Sequence, residues 1–80
     1  MDASSKIKLD RYQLEELVAG ALREHPDLAH VERVEIVRLY GGLPNWDVAS
    51  ITPTLRREHY PAAFEIVNGL RLTYHLREEG

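Results

Sequence analysis

The chain has 80 residues, of which 44% are hydrophobic and 29% charged, with a net charge of −3. Those values describe one ordinary globular domain and exclude a disordered segment over most of the length. It holds no cysteine, which excludes a disulfide framework and a thiolate zinc site. Stability in so small a domain must then come from tight packing or self-association.

No apolar run approaches the roughly 18 residues that a membrane-spanning helix needs. The opening Met1–Ser5 precedes no apolar stretch of the signal-peptide kind. The expectation is a soluble cytoplasmic protein with no membrane association. Acidic residues concentrate at Glu15, Glu16, Glu24, Asp27, Glu32 and Glu35, against Arg23 and Arg33 in the same span. Basic residues form only small groups, at Lys6, Lys8 and Arg11 and at Arg56 and Arg57. A nucleic-acid binder usually carries a basic stripe, so nucleic acid is not the expected partner.

In chain order, residues 1–8 read as a flexible N-terminus, 9–77 as a single domain and 78–80 as a frayed tail. Asp10 with Gln13 three residues on gives a capping-box pattern, and Leu9 with Leu14 has hydrophobic-staple spacing. Leu14, Leu17, Val18, Ala21 and Leu22 share one helical face. Pro26 stops that helix, which predicts a span of Arg11 to Glu24. One short helical turn is expected at Asp27–Ala29.

Val31 to Tyr40 is rich in β-branched residues and alternates, so it reads as a strand with Val34, Ile36, Arg38 and Tyr40 on one face. Gly41 to Asn45 is a turn by its glycines and proline. A second strand follows, with Trp46, Val48 and Ser50 opposite Asp47, Ala49 and Ile51, and Pro53 ends it. Pro61 suits the first turn of a last helix reaching Leu76, with Ala63, Ile66, Val67, Leu70 and Tyr74 on its main face. The expected fold is therefore α+β, in the order α-β-β-α. Two helices pack on one face of an antiparallel β-hairpin, whose edges could complete a larger sheet by dimerisation.

The only tryptophan, Trp46, is expected to serve as the largest core piece, with an interface anchor as the other reading. A second line on the last helix runs through Ala62, Glu65, Gly69, Leu72 and Leu76. A helix apolar on two sides must bury both, so Ala62, Gly69, Leu72 and Leu76 join Trp46 as candidate subunit-interface residues. Glu15, Glu16 and Glu24 form an alternative acidic face for a basic partner.

His25, His30, His59 and His75 lack the spacing of a helical zinc motif, so neither a metal nor another cofactor is expected. Asp47 or Glu35 could join His30 or His59 in an acid–base pair, but a domain this small rarely builds a deep pocket. Phosphate-binding and dinucleotide glycine loops are absent from the sequence, and the expectation is a non-enzyme.

The "NWDV" strand start, the "V.I.RL" strand, the proline-terminated first helix and the alanine-rich last helix resemble a group of small, uncharacterised bacterial proteins. The resemblance covers most of Leu14 to Leu76. It implies a bacterial source and a compact α+β domain, and it brings no catalytic or binding residues. The element order also resembles double-stranded-RNA-binding domains, but a third strand and a basic start to the last helix are missing. The functional expectation is a protein–protein interaction module acting as a homodimer. Its alternative is a small acidic regulator or inhibitor, antitoxin-like or of phage type, acting on a nucleic-acid-handling partner.

Overall fold

A computed structural model describes residues 7–41 and 44–77 of the chain. The expected flexible segment lies outside them up to residue 6, as do the frayed tail at 78–80 and the middle of the hairpin turn at 42 and 43. The order is β1 (Ile7–Leu9), α1 (Arg11–Arg23), β2 (Arg33–Arg38), β3 (Trp46–Thr52), α2 (Tyr60–Thr73) and β4 (Tyr74–Leu76). Short 3-10 turns at Pro26–Leu28 and Arg57–His59 join α1 to β2 and lead into α2. The protein is a small α+β domain.

Helix α1 starts where its cap dictates. The Asp10 carboxylate accepts the Gln13 N–H at 2.8 Å, and the Asp10 N–H donates to the Gln13 side chain at 3.0 Å. Two of the helix's orphan donors are thereby satisfied. Leu14, Val18, Ala19 and Leu22 are buried from this helix. Its C-terminal turn passes into Pro26–Leu28 through His25, whose Nδ1 accepts the Asp27 N–H at 3.1 Å.

Strands β2 and β3 form the expected antiparallel hairpin. Leu39 N–H donates to the Asn45 carbonyl at 2.8 Å across the turn. Gly41 in that turn has φ of 77°, a left-handed conformation that costs glycine little. The pairing shifts from Glu35↔Ser50 to Ile36↔Val48, so Ala49 is an extra residue on β3. This bulge corrects the simple alternation read from the sequence. An inserted residue flips the parity of everything beyond it. Ile51 therefore packs on the core beside Val48, and Ser50 turns out to solvent, where its hydroxyl donates to Glu35 at 3.2 Å.

The last element departs most from expectation. The helix stops at Thr73, and Tyr74–Leu76 is a strand lying parallel to β1, with Leu9 opposite Leu76. The α-β-β-α order thus gains a short strand at each end, and the domain begins by residue 7. The switch from helix to strand has a local cause in its partners. Asn45, only 8% exposed, aims its amide at the Leu76 backbone. Its Nδ2 donates to the Leu76 carbonyl at 2.9 Å, and its Oδ1 accepts the Leu76 N–H at 3.0 Å. Trp46 Nε1 donates to the Tyr74 carbonyl at 3.1 Å. These side chains act as the neighbouring strand that β4 lacks on that side.

The core unites all these pieces. It contains Leu14, Val18 and Leu22 of α1, Val34 and Ile36 of β2, Trp46 of β3, Ala63 and Val67 of α2, and Leu76 of β4. Leu28, Val31 and Leu55 close it from the connectors. Trp46 is fully buried.

Asn45 provides a direct test. Asn45→Ala leaves the Leu76 N–H and carbonyl buried and unpaired, which costs about 2–4 kcal/mol at one to a few kcal/mol per orphaned group. Asn45→Asp also destabilises, because a carboxylate cannot donate to the Leu76 carbonyl. Urea unfolding of both variants checks this. A loss below about 1 kcal/mol in each would mean that water replaces the amide without strain.

Candidate functional site

Three surfaces deserve comparison as sites: the hairpin edges, the outer side of α1 and the outer side of α2. Each strand of an isolated hairpin has an open edge, and an open edge invites pairing with another chain. Here both edges carry side-chain partners. Along β2, the Ile36 N–H donates to Glu15 Oε2 at 3.1 Å. About two helical turns further along α1, the Arg23 guanidinium donates to the Val31 carbonyl at 2.7 Å and the Glu32 carbonyl at 2.9 Å. Along β3, Arg71 Nε donates to the Trp46 carbonyl at 2.8 Å, and Asp47 Oδ1 accepts the Val48 N–H at 2.7 Å. Arg71 and Asp47 also approach each other at 3.9 Å. A side chain from a helix thus takes one backbone group on each strand's edge, the Ile36 N–H and the Trp46 carbonyl, and Arg23 holds the backbone leading into β2.

Between α1 and β2 lies an open polar groove of about 510 Å³, bounded by Arg11, Glu16, Arg23, Glu32 and Arg33 among others. Its charges alternate in sign. Arg11 lies 3.5 Å from Glu15 and 3.8 Å from Glu35. Of the expected acidic face, Glu15 points into this network and serves the fold, while Glu16 and Glu24 are exposed. A groove of mixed sign offers no net attraction to a strongly charged ligand.

The outer side of α2 is different. Buried Ala63 and Val67 define its inner face. Glu65, Asn68, Gly69 and Leu72 fall together on the outward arc, with Phe64 at its margin. Leu72 is 71% exposed and Phe64 58%. Phe64 also stacks on Tyr60, with ring centres 5.6 Å apart. A Cβ added at Gly69 would meet nothing within 4 Å, so packing inside the domain does not require glycine there.

The five candidate interface residues consequently separate. Gly69 and Leu72 lie on the exposed arc and Ala62 is half-buried beside it. Trp46 and Leu76 are 0% and 4% exposed and belong to the core. Leu76 leaves the set because α2 ends before it, which breaks the helical register that had placed it under Leu72. Trp46 leaves it because the inward hairpin face and the Tyr74 carbonyl enclose its ring and N–H. The sequence held a signal for this, a buried-type residue next to an amide able to bond backbone, but the targets of Asn45 and of the Trp46 N–H lie 31 and 28 residues away.

The acid–base candidates do not assemble. Asp47 faces Arg71, and Glu35 meets Arg11 and Ser50. Among the described residues neither carboxylate bonds a histidine, and no group of three or more His, Asp or Glu side chains could hold a metal ion. His30 and His59 do come together, with ring centres 6.5 Å apart. No helix among the described residues is long and apolar enough to cross a membrane. Comparison of the chain with protein-family models, with curated proteins and with solved structures finds no match.

The edge contacts are testable through exchange. Glu15→Ala removes the acceptor of the Ile36 N–H and costs about 1–2 kcal/mol. The Ile36 amide should then exchange with solvent deuterium much faster, while the amides of α2 slow or speed only with global stability. Unchanged Ile36 protection would show that Glu15 is not the group shielding this edge.

Proposed function

We propose that the protein is a protein–protein interaction module that acts as a homodimer through the outer side of α2. The observation that carries this reading is the 71% exposure of Leu72 on an arc shared with open Gly69 and bordered by Phe64. Single exposed leucines are ordinary, but a leucine three residues from a position without a side chain, on the same arc, gives another helix a place to approach closely. Two copies of α2 crossing at Gly69 would cover both leucines, an arrangement in which the same patch serves both partners.

Edge-to-edge sheet completion is the weaker route to such a dimer. It would require displacing Glu15 on one side or Arg71 on the other. The reading as an acidic regulator of a nucleic-acid-handling partner loses support for a related reason. Glu15, one of the three residues of its proposed face, already bonds the Ile36 backbone.

Leu72→Asp tests the homodimer. Because Leu72 is largely solvent-exposed in the protomer, the change should leave protomer folding nearly intact, within about 0.5 kcal/mol. Light scattering after size exclusion should show wild-type mass rising towards twice the protomer mass with concentration, and Leu72→Asp remaining at protomer mass. A wild-type protein monomeric at every concentration, or a variant with unchanged association, would reject the reading.

A further inference from the structure

We propose that His30 and His59 form a two-imidazole site for a divalent transition-metal ion such as zinc. The two residues are distant in sequence and belong to different connectors. His30 follows the 3-10 turn at Pro26–Leu28, and His59 is the last residue of the 3-10 turn at Arg57–His59. Their rings nevertheless lie 6.5 Å apart between centres, inclined by 55°.

Both backbones are held. Val31, next to His30, is 2% exposed and its N–H donates to the Leu28 carbonyl at 3.1 Å. The His59 N–H donates to the Arg56 carbonyl at 2.9 Å, and Leu55 just upstream is 5% exposed. The two turns therefore fix where the side chains start, and side-chain torsions set the final ring spacing.

A second observation points to a ligand. His59 Nδ1 is buried and, among the described residues, has no hydrogen-bond partner. A buried nitrogen without a partner is costly, and a lone pair in that situation is relieved by a proton donor or a cation. The neighbouring aromatic group is a second imidazole, a metal ligand by nature.

The distances decide whether one ion fits. With a zinc–nitrogen bond of 2.0–2.1 Å, an imidazole centre sits about 3.2 Å from the metal. Two rings around one ion then have centres about 5.2 Å apart at a tetrahedral angle and about 6.4 Å apart in line. The observed 6.5 Å is just beyond this range. His59 is half-buried, while His30 is exposed and free to close the gap of about 1 Å by a side-chain rotation. His59, half-buried, supplies the more fixed ligand and His30 the closing one. Two protein ligands leave the remaining positions of the ion to water, so the site is open and suits imidazole-preferring ions over calcium or magnesium.

The nearest carboxylate in sequence, Glu58, faces Arg56 at 3.8 Å and does not add to the pair. His25 is used otherwise, since its Nδ1 caps the turn at Asp27. His75 lies on β4 opposite Lys8. They serve as internal controls for chance binding by a lone surface histidine.

The experiment is a titration of the full chain with zinc ion alone, followed by nitrogen NMR of the four imidazoles. The expected result is a joint shift of His30 and His59 ring signals at one zinc per chain, with His25 and His75 unmoved. His30→Gln, at an exposed position, keeps the fold and weakens zinc binding about tenfold or more, and His59→Gln does the same. Thermal unfolding of each variant confirms that it is folded. Shifts confined to His25 or His75, no shift at all, or zinc affinity in His30→Gln within about twofold of the wild type would each overturn the site.

Discussion

The arrangement depends on one side chain that behaves as backbone. The Asn45 amide presents a carbonyl and an N–H at the spacing of a peptide group, and it pairs with the N–H and carbonyl of Leu76. Through that pair the β2–β3 hairpin is joined to the β1–β4 pair, which otherwise forms a separate sheet. A parallel pair of three-residue strands has little stability of its own. It persists here because β1 holds one side of β4 and the Asn45–Trp46 side chains hold the other. The same contact brings the first and last described strands together over the core residue Leu76. Remove the amide and the helix end, the last strand and the indole N–H all lose their common reference.

A second consequence is the treatment of edges. Both strands of a two-stranded ribbon are edge strands, and edges attract other chains. This fold covers them with charged side chains from its helices. Glu15 reaches β2 and Arg23 the backbone just before it from α1, and Arg71 reaches β3 from α2. Carboxylate and guanidinium groups make the stronger class of hydrogen bond to backbone, so they compete well with water at a partly exposed edge. Their placement also explains why the acidic residues of α1 do not form one uniform surface.

Much of the fold was legible in the sequence because the signals were local. The capping box at Asp10 and Gln13, the apolar face of α1 and the stop before Pro26 involve neighbours within a few residues. The hairpin, too, follows from alternation around a glycine-bearing turn. What escaped was non-local or parity-breaking. The bulge at Ala49 reverses the faces of β3 beyond it, and nothing in its composition announces an inserted residue. The strand at Tyr74–Leu76 continues the helical spacing of α2 without a glycine or proline to interrupt it. Only its partners, Leu9 and Asn45, make it a strand. Of the candidate interface, the exposed Gly69 and Leu72 were readable from helical spacing, whereas Trp46 and Leu76 were not, since their burial depends on that distant pairing.

These features bear on each other at α2. Its inner side is committed to the core through Ala63 and Val67, and its C-terminal turn is committed to β3 through Arg71. A helix fixed so firmly on one side cannot rotate to hide Leu72 when the protomer is alone. Rotation by even one residue position would pull Val67 from the core, a loss on the order of 1.5–3 kcal/mol for a buried side chain of that size. The exposed leucine is thus not an accident that local motion can correct. It follows from a helix whose orientation is set by the opposite face, which means that any cover for Leu72 must come from outside the described fold.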